Sequence, residues 1–232
     1  MGTYETGSIA REYLPIFLEG ARTTLTIVLA AIVCATVLGY LVAAARLSRF
    51  RALRLTAGAY VWFFRGLPLM LSLFFFYYTQ PFGLVFDAFT AGLIAMSLNS
   101  ASFFSEIIRA GLRAVSPGHL EAAESIGMNP FQKFRRVVVP EAVRLMTPPY
   151  INNCVIMLKE SAQVSVITVP DLMLAGQKAY NATYNVTETL GVVAALYLAL
   201  TSLLMGLQMI VERRTGRRMG TAASLRTAGA TA

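Results

Sequence analysis

The sequence predicts an all-α membrane protein of about five transmembrane helices, with a folded helical element in one connecting loop. Three observations predict it. Apolar residues make up 56% of the chain against 14% charged. They fall into runs of the length a helix needs to cross a bilayer, about 20 residues at about 1.5 Å each. The arginines and lysines gather in patches between those runs. Lipid admits only helices or closed barrels, and the strict alternation of a barrel strand is absent from the sequence.

Taken in order, residues 1–20 form an outer N-terminal segment interrupted by Glu5, Arg11, Glu12 and Glu19, so no cleavable signal core precedes the first run. Within it, residues 11–20 set Tyr13, Leu14, Ile16, Phe17 and Leu18 beside charges, which predicts an interfacial helix. The expected spans are 21–45, 60–79, 88–108, 150–169 and 189–210, the fourth carrying Lys159 and Glu160 near its middle. They form one membrane domain over 21–214, followed by a tail, 215–232, of Gly, Ala, Thr and Arg that is too poor in large apolar residues to order itself.

Orientation follows from the cations, which are retained on the cytoplasmic side near span ends. Arg46, Arg49, Arg51 and Arg54 follow the first span, Arg109 to Arg144 holds six more, and Arg213, Arg214, Arg217 and Arg218 follow the fifth. The N-terminus is therefore expected outside and the C-terminus in the cytoplasm, and the net charge of +8 needs no nucleic acid to explain it. Cys34 and Cys154 fall inside spans, where a thiol acts as a small hydrophobe.

The loop 110–144 holds more structural signals than a connector needs. Ser116-Pro117 reads as an N-cap with proline at the first helical position, and Gly127 as the left-handed residue that ends the helix. Asn129-Pro130 opens a second helix, and Gln132 completes a capping box. A DNA-binding helix-turn-helix is discounted because both ends are tethered to spans. A folded cytoplasmic element docks a cytoplasmic protein more readily.

Glu121-Ala122-Ala123, Gly127, then Val137-Val138-Val139-Pro140 resembles the EAA loop of binding-protein-dependent ABC permeases, with valines where the usual aliphatic pair is isoleucine and leucine. Phe64-Arg65-Gly66-Leu67-Pro68-Leu69, Ser97-Leu98-Asn99-Ser100, Glu106-Ile107-Ile108-Arg109 and Leu158-Lys159-Glu160-Ser161 resemble motifs of the polar amino acid branch. The resemblance implies a type I ABC importer permease in a bacterial inner membrane. It implies a second permease subunit, a dimer of cytoplasmic ATPases, an extracytoplasmic solute-binding protein, and a polar amino acid or derivative as substrate. It makes the helix around Glu121 the coupling helix, with Glu121 facing a cation or donor in the ATPase, Ala122 and Ala123 permitting close approach, Gly127 setting the turn and Pro140 closing the motif.

No Gly-Lys dipeptide occurs, so the phosphate loop of an ATPase is missing from this sequence, and ATP hydrolysis is expected on another chain. No metal or other cofactor set is read. The single histidine, His119, is expected to be solvated. Polar groups at membrane depth face protein or a wet cavity, which makes Arg65, Asn99, Asn152, Lys159, Glu160 and Gln163 candidates for lining the substrate path. Lys159 and Glu160 are adjacent on a helix and point about 100° apart, so they cannot share a face. The competing reading is an ion-coupled carrier or channel that uses Glu106, Lys159 and Glu160 as a relay; it leaves the capped loop unexplained.

Overall fold

The computed structural model describes residues 11–229, with 211–229 described by their backbone alone. Its described residues are helical nearly throughout. Helix α1, Leu14–Leu47, runs about 51 Å at 1.5 Å per residue, well beyond the hydrocarbon thickness of about 30 Å. Residues 14–20, expected as a separate interfacial helix, are its opening turns. Phe17 is fully buried, in a second core cluster with Ala21, Leu172 and Val193. The rest of the expected outer segment, residues 1–10, lies outside the described residues.

Small residues set how α1 packs. Its buried stripe includes Gly20, Ala21, Ala31, Ala35, Gly39 and Ala43, and the long central helix α4, Ala88–Arg113, lies along it in the most extensive contact of the fold. Without a hydrophobic drive between helices in lipid, this closeness is gained through dispersion between backbones. A Cβ on Gly39 would stand 2.8 Å from the Phe104 Cβ and 3.2 Å from the Ala101 carbonyl oxygen. Gly39→Val is therefore expected to destabilise the protein by about 2 kcal/mol. A thermal midpoint in detergent equal to that of the parent would refute the tight crossing.

Between them, the expected second span is broken. Helix α2 runs Arg51–Gly66, α3 runs Leu69–Tyr78, and their axes meet at 101°. Pro68 causes the break: it drives Leu67 into an extended conformation (φ −100°, ψ 138°) and has no N–H to return to the carbonyl of Phe64 four residues back. Window averaging of hydropathy does not register such a break.

Past α4 the loop folds as α5, Pro117–Ser125, and α6, Pro130–Lys133, followed by a π-helical segment, Phe134–Val138. Pro140 accounts for the wide turn: it has no N–H for a carbonyl behind it, and the Val139 N–H reaches back to Phe134 O. Helix α7, Val139–Glu160, then carries the first half of the expected fourth span. A 3-10 segment, Ser161–Ile167, completes the rest and stops at Thr168, whose φ is 67°. The expected outer loop folds into α8, Leu172–Thr183, capped by Asp171.

Asp171 is fully buried where α1, α8 and the last helix meet. It accepts from the Leu174 N–H at 2.9 Å and the Tyr197 hydroxyl at 3.3 Å, while the Thr24 hydroxyl accepts from the Leu172 N–H at 3.1 Å.

Helix α9, Val186–Gly229, crosses with Leu198, Leu203, Met205 and Met209 on its exposed side. The backbone continues helical to Gly229, where composition predicted a disordered tail; residues 230–232 lie outside the described residues. Alanine, leucine, methionine and arginine propagate a nucleated helix at little cost, which compositional arguments about core burial do not weigh.

Three helices, α1, α4 and α9, are long and apolar enough to cross a bilayer, and the bent pair α2–α3 makes a fourth crossing when counted as one. Helix α7 is of the right length, but its two internal prolines, Asn152, Asn153 and Lys159 lower its hydropathy.

Candidate functional site

Two sites take shape, one in the loop and one between α4 and α7. In the loop, the capping box forms as the sequence predicts: the Asn129 side chain accepts from the Gln132 N–H at 2.9 Å, and the Gln132 side chain accepts from the Asn129 N–H at 3.1 Å. Gly127 takes φ 75° and ends α5, its N–H donating to Glu124 O at 2.9 Å. Ser116 occupies the N-cap position, yet its side chain makes no cap bond.

The faces of α5 are distinct. Ala123 is 3% exposed and turned into the protein, whereas Glu121 and Ala122 face outward. Of the two alanines read as permitting close approach by a partner, only Ala122 is placed for it; Ala123 permits the packing of α5 onto its own loop. Ile126 and Phe131 stand 72% and 70% exposed beside this face, a large apolar exposure for a loop. Pro140 is exposed at the second position of α7.

His119, expected to be solvated, is exposed and also partnered. Its Nδ1 lies 2.7 Å from Glu141 Oε2 in the first turn of α7. The partner lies 22 residues away, so no local signal pairs them. Lys133 pairs with Glu124 and ties the other end of α5 to α6.

The second site is a cavity of 440 Å³ lined by Arg65 and by Phe103, Glu106, Met146 and Asn153 among others. The Arg65 guanidinium lies 5.2 Å over the Phe103 ring, with no carboxylate oxygen of the described residues within 4 Å of it. Glu106 is held between Arg46 of α1, at 2.6 Å, and Arg109. Two arginines thus share the Glu106 carboxylate while Arg65 lines the same cavity, and the local charge of this group of side chains is positive.

The remaining candidates are dispersed. Asn152 and Lys159 are exposed, while Glu160 and Gln163 are half-buried, so Lys159 and Glu160 present different faces as expected. Lys159 lies six residues beyond Asn153, about 9 Å along α7, so these groups do not line the Arg65 cavity.

Asn99 does not line it either. Its Nδ2 donates to Phe64 O at 3.0 Å, the carbonyl left without a partner by Pro68. Asn99 is a structural residue of the α2–α3 bend, and the signal that reveals it is the proline four residues after Phe64. The cavity residues Phe103 and Met146 carry no sequence signal; they are ordinary apolar side chains brought there by helix crossing.

The chain's residues 35–217 match the family model described as binding-protein-dependent transport system inner membrane component. The chain is 37% identical to the putative glutamine transport system permease protein GlnP of Rickettsia conorii, over 84% of this chain and 91% of that one. It is 36% identical to the arginine transport system permease protein ArtQ of Bacillus subtilis, over 87% and 93%. A chain from the crystal structure of an amino acid ABC transporter with histidines is 36% identical and superposes with a TM-score of 0.86 over 92% of this chain and 100% of that one. The MetNI methionine ABC transporter in an inward-facing conformation shares the fold, with a TM-score of 0.70 at 21% identity over 86% and 96%. With nearly the whole membrane domain matched, and with relatives at more than a third identity along almost all of their length, the chain belongs to the binding-protein-dependent transport system inner membrane component family, the membrane-spanning permeases of ABC importers.

Proposed function

We propose that this permease carries a polar amino acid or amino-acid derivative inward and is driven by ATPases on other chains, which dock on the loop 110–144. The observation that carries the reading is α5: a capped helix on a folded loop, with Glu121 and Ala122 outward beside exposed Ile126 and Phe131. An apolar surface of this kind with a central carboxylate suits a cleft with a cationic or donor group. Glu121, Ala122, Gly127 and Pro140 form the coupling surface, with Ala123 seating the helix on the loop.

The positive-inside pattern supports an N-terminus outside and a C-terminus in the cytoplasm. A second permease subunit, a dimer of ATPases and a solute-binding protein on the outer face complete the assembly. The relatives named for glutamine and arginine support an amino acid substrate. Within the path, Arg65 is the group for a substrate carboxylate, since among the described residues no carboxylate forms an ion pair with it. Asn152 serves beside the Arg65 cavity on α7, and Lys159, Glu160 and Gln163 further along α7 and the segment after it. A relay reading loses its first carboxylate, because Glu106 is already clamped by Arg46 and Arg109.

Purification of the chain from its native cells in mild detergent tests the reading. A phosphate-loop ATPase and a secreted solute-binding protein are expected to follow it by mass spectrometry, and the eluate is expected to hydrolyse ATP. The chain emerging alone, with transport continuing in ATP-depleted vesicles, would overturn it.

A further inference from the structure

We infer that the His119–Glu141 contact is a strut that fixes the coupling helix to α7 and passes its movement to the substrate path, His119 acting as a positioning residue. The inference rests on the coupling role of α5 proposed above.

The covalent route from α5 to α7 is a poor transmitter. It passes through the left-handed turn at Gly127, the four-residue helix α6 and the π-helical turn before Pro140. Each of these is a place where a helix axis can swivel. The Nδ1–Oε2 contact of 2.7 Å bypasses all three and closes a loop of 22 residues at the first rigid turn of α7. His119 and Ala123 are four apart and lie on the same side of α5, with His119 half-exposed against Glu141, while Glu121 points the other way. A push on the outer face is thus received on one side of the helix and delivered from the other.

Beyond Glu141, α7 stays helical through Pro148 and Pro149 to Glu160, about 28 Å, past Asn153 in the Arg65 cavity and on to Lys159. The Glu124–Lys133 pair holds the far end of α5 to α6, so the helix is tied at both ends and cannot pivot about one contact.

The pair is partly exposed, His119 at 50% and Glu141 at 25% of the side chain, and such pairs add little to stability. Its loss is therefore expected to spare folding and to appear in coupling.

The test uses the complete transporter, purified with its ATPase and binding protein and reconstituted in proteoliposomes supplied with the twenty protein amino acids in tritiated form. His119→Ala and Glu141→Ala are each expected to retain the ATPase on purification. Each is expected to lower amino acid accumulated per ATP hydrolysed at least threefold, with KM for uptake unchanged. The exchange His119→Glu with Glu141→His is expected to recover at least half of the loss, which a merely structural contact would not require. An unchanged ratio in both single variants, or an exchanged pair no better than either single variant, would overturn the strut. Glu121→Arg assayed in parallel separates the two levels. If it transports normally, the coupling reading falls and the strut with it; if it abolishes uptake while the His119 ratio stays at the parent value, the strut alone falls.

Discussion

Reversing the charge of Glu121 is expected to abolish transport while leaving the protein inserted and folded. Glu121 is exposed on the outer face of α5 and makes no ion pair among the described residues. Glu121→Arg therefore disturbs nothing inside the chain, and its whole effect falls on whatever docks there. Where a cleft offers a cation or donor to this carboxylate, an arginine leaves that group unpaired and adds repulsion, a loss of about 2–5 kcal/mol, or roughly 30-fold or more in affinity. The measurement is paired: uptake in membrane vesicles, and ATPase recovered with the tagged permease. Loss of both, with normal amounts of permease in the membrane, is the expected result. Normal uptake would remove Glu121 from the coupling surface.

The contrast between Glu121 and Asn99 shows which parts of the molecule are legible from sequence. Glu121 sits in a segment whose structure is set by its nearest neighbours. Ser116-Pro117, Gly127, Asn129-Pro130 and Gln132 specify caps and turns within a few residues, and the loop folds as they dictate. Apolar run lengths likewise located α1, α4 and α9, since burial in lipid requires length and little else. The α2–α3 bend was legible in principle, because Pro68 was in view, but an average over an apolar window hides one residue with no N–H. Helix α8 was not legible, because its start is fixed by the Thr24 hydroxyl accepting from the Leu172 N–H across 148 residues of chain and by Asp171 accepting from the Tyr197 hydroxyl across 26. The extra turns of α1 before residue 21 carry charges that read as interfacial, yet Phe17 and Gly20 pack against α8, which no periodicity in residues 11–20 announces. His119 belongs with these: its meaning depends on Glu141, and only the fold brings the two together.

Asn99 is where the sequence reading and the structure assign different work to the same residue, and the difference has a measurable consequence. As a path residue, Asn99 would be dispensable for stability and its loss would alter uptake. As the donor to Phe64 O at 3.0 Å, it replaces the N–H that Pro68 lacks, in a buried setting where Asn99 is 6% exposed. Asn99→Leu keeps the branched outline of the side chain and removes the donor, leaving the Phe64 carbonyl without its amide partner. The expected cost is about 3 kcal/mol, or a fall in thermal midpoint of roughly 10 °C for a chain of this size. Differential scanning measurements on the purified complex read this directly. Pro68→Ala in the same background supplies the control, since alanine at 68 returns a backbone N–H four residues after Phe64 and lets the helix continue. The double variant is expected to regain stability relative to Asn99→Leu while losing transport, because α2 and α3 would straighten toward one helix and carry Arg65 away from the cavity it lines. Should Asn99→Leu melt with the parent and lose only uptake, the amide would belong to the substrate path after all, and the bend would have to be held by the α3–α4 packing alone.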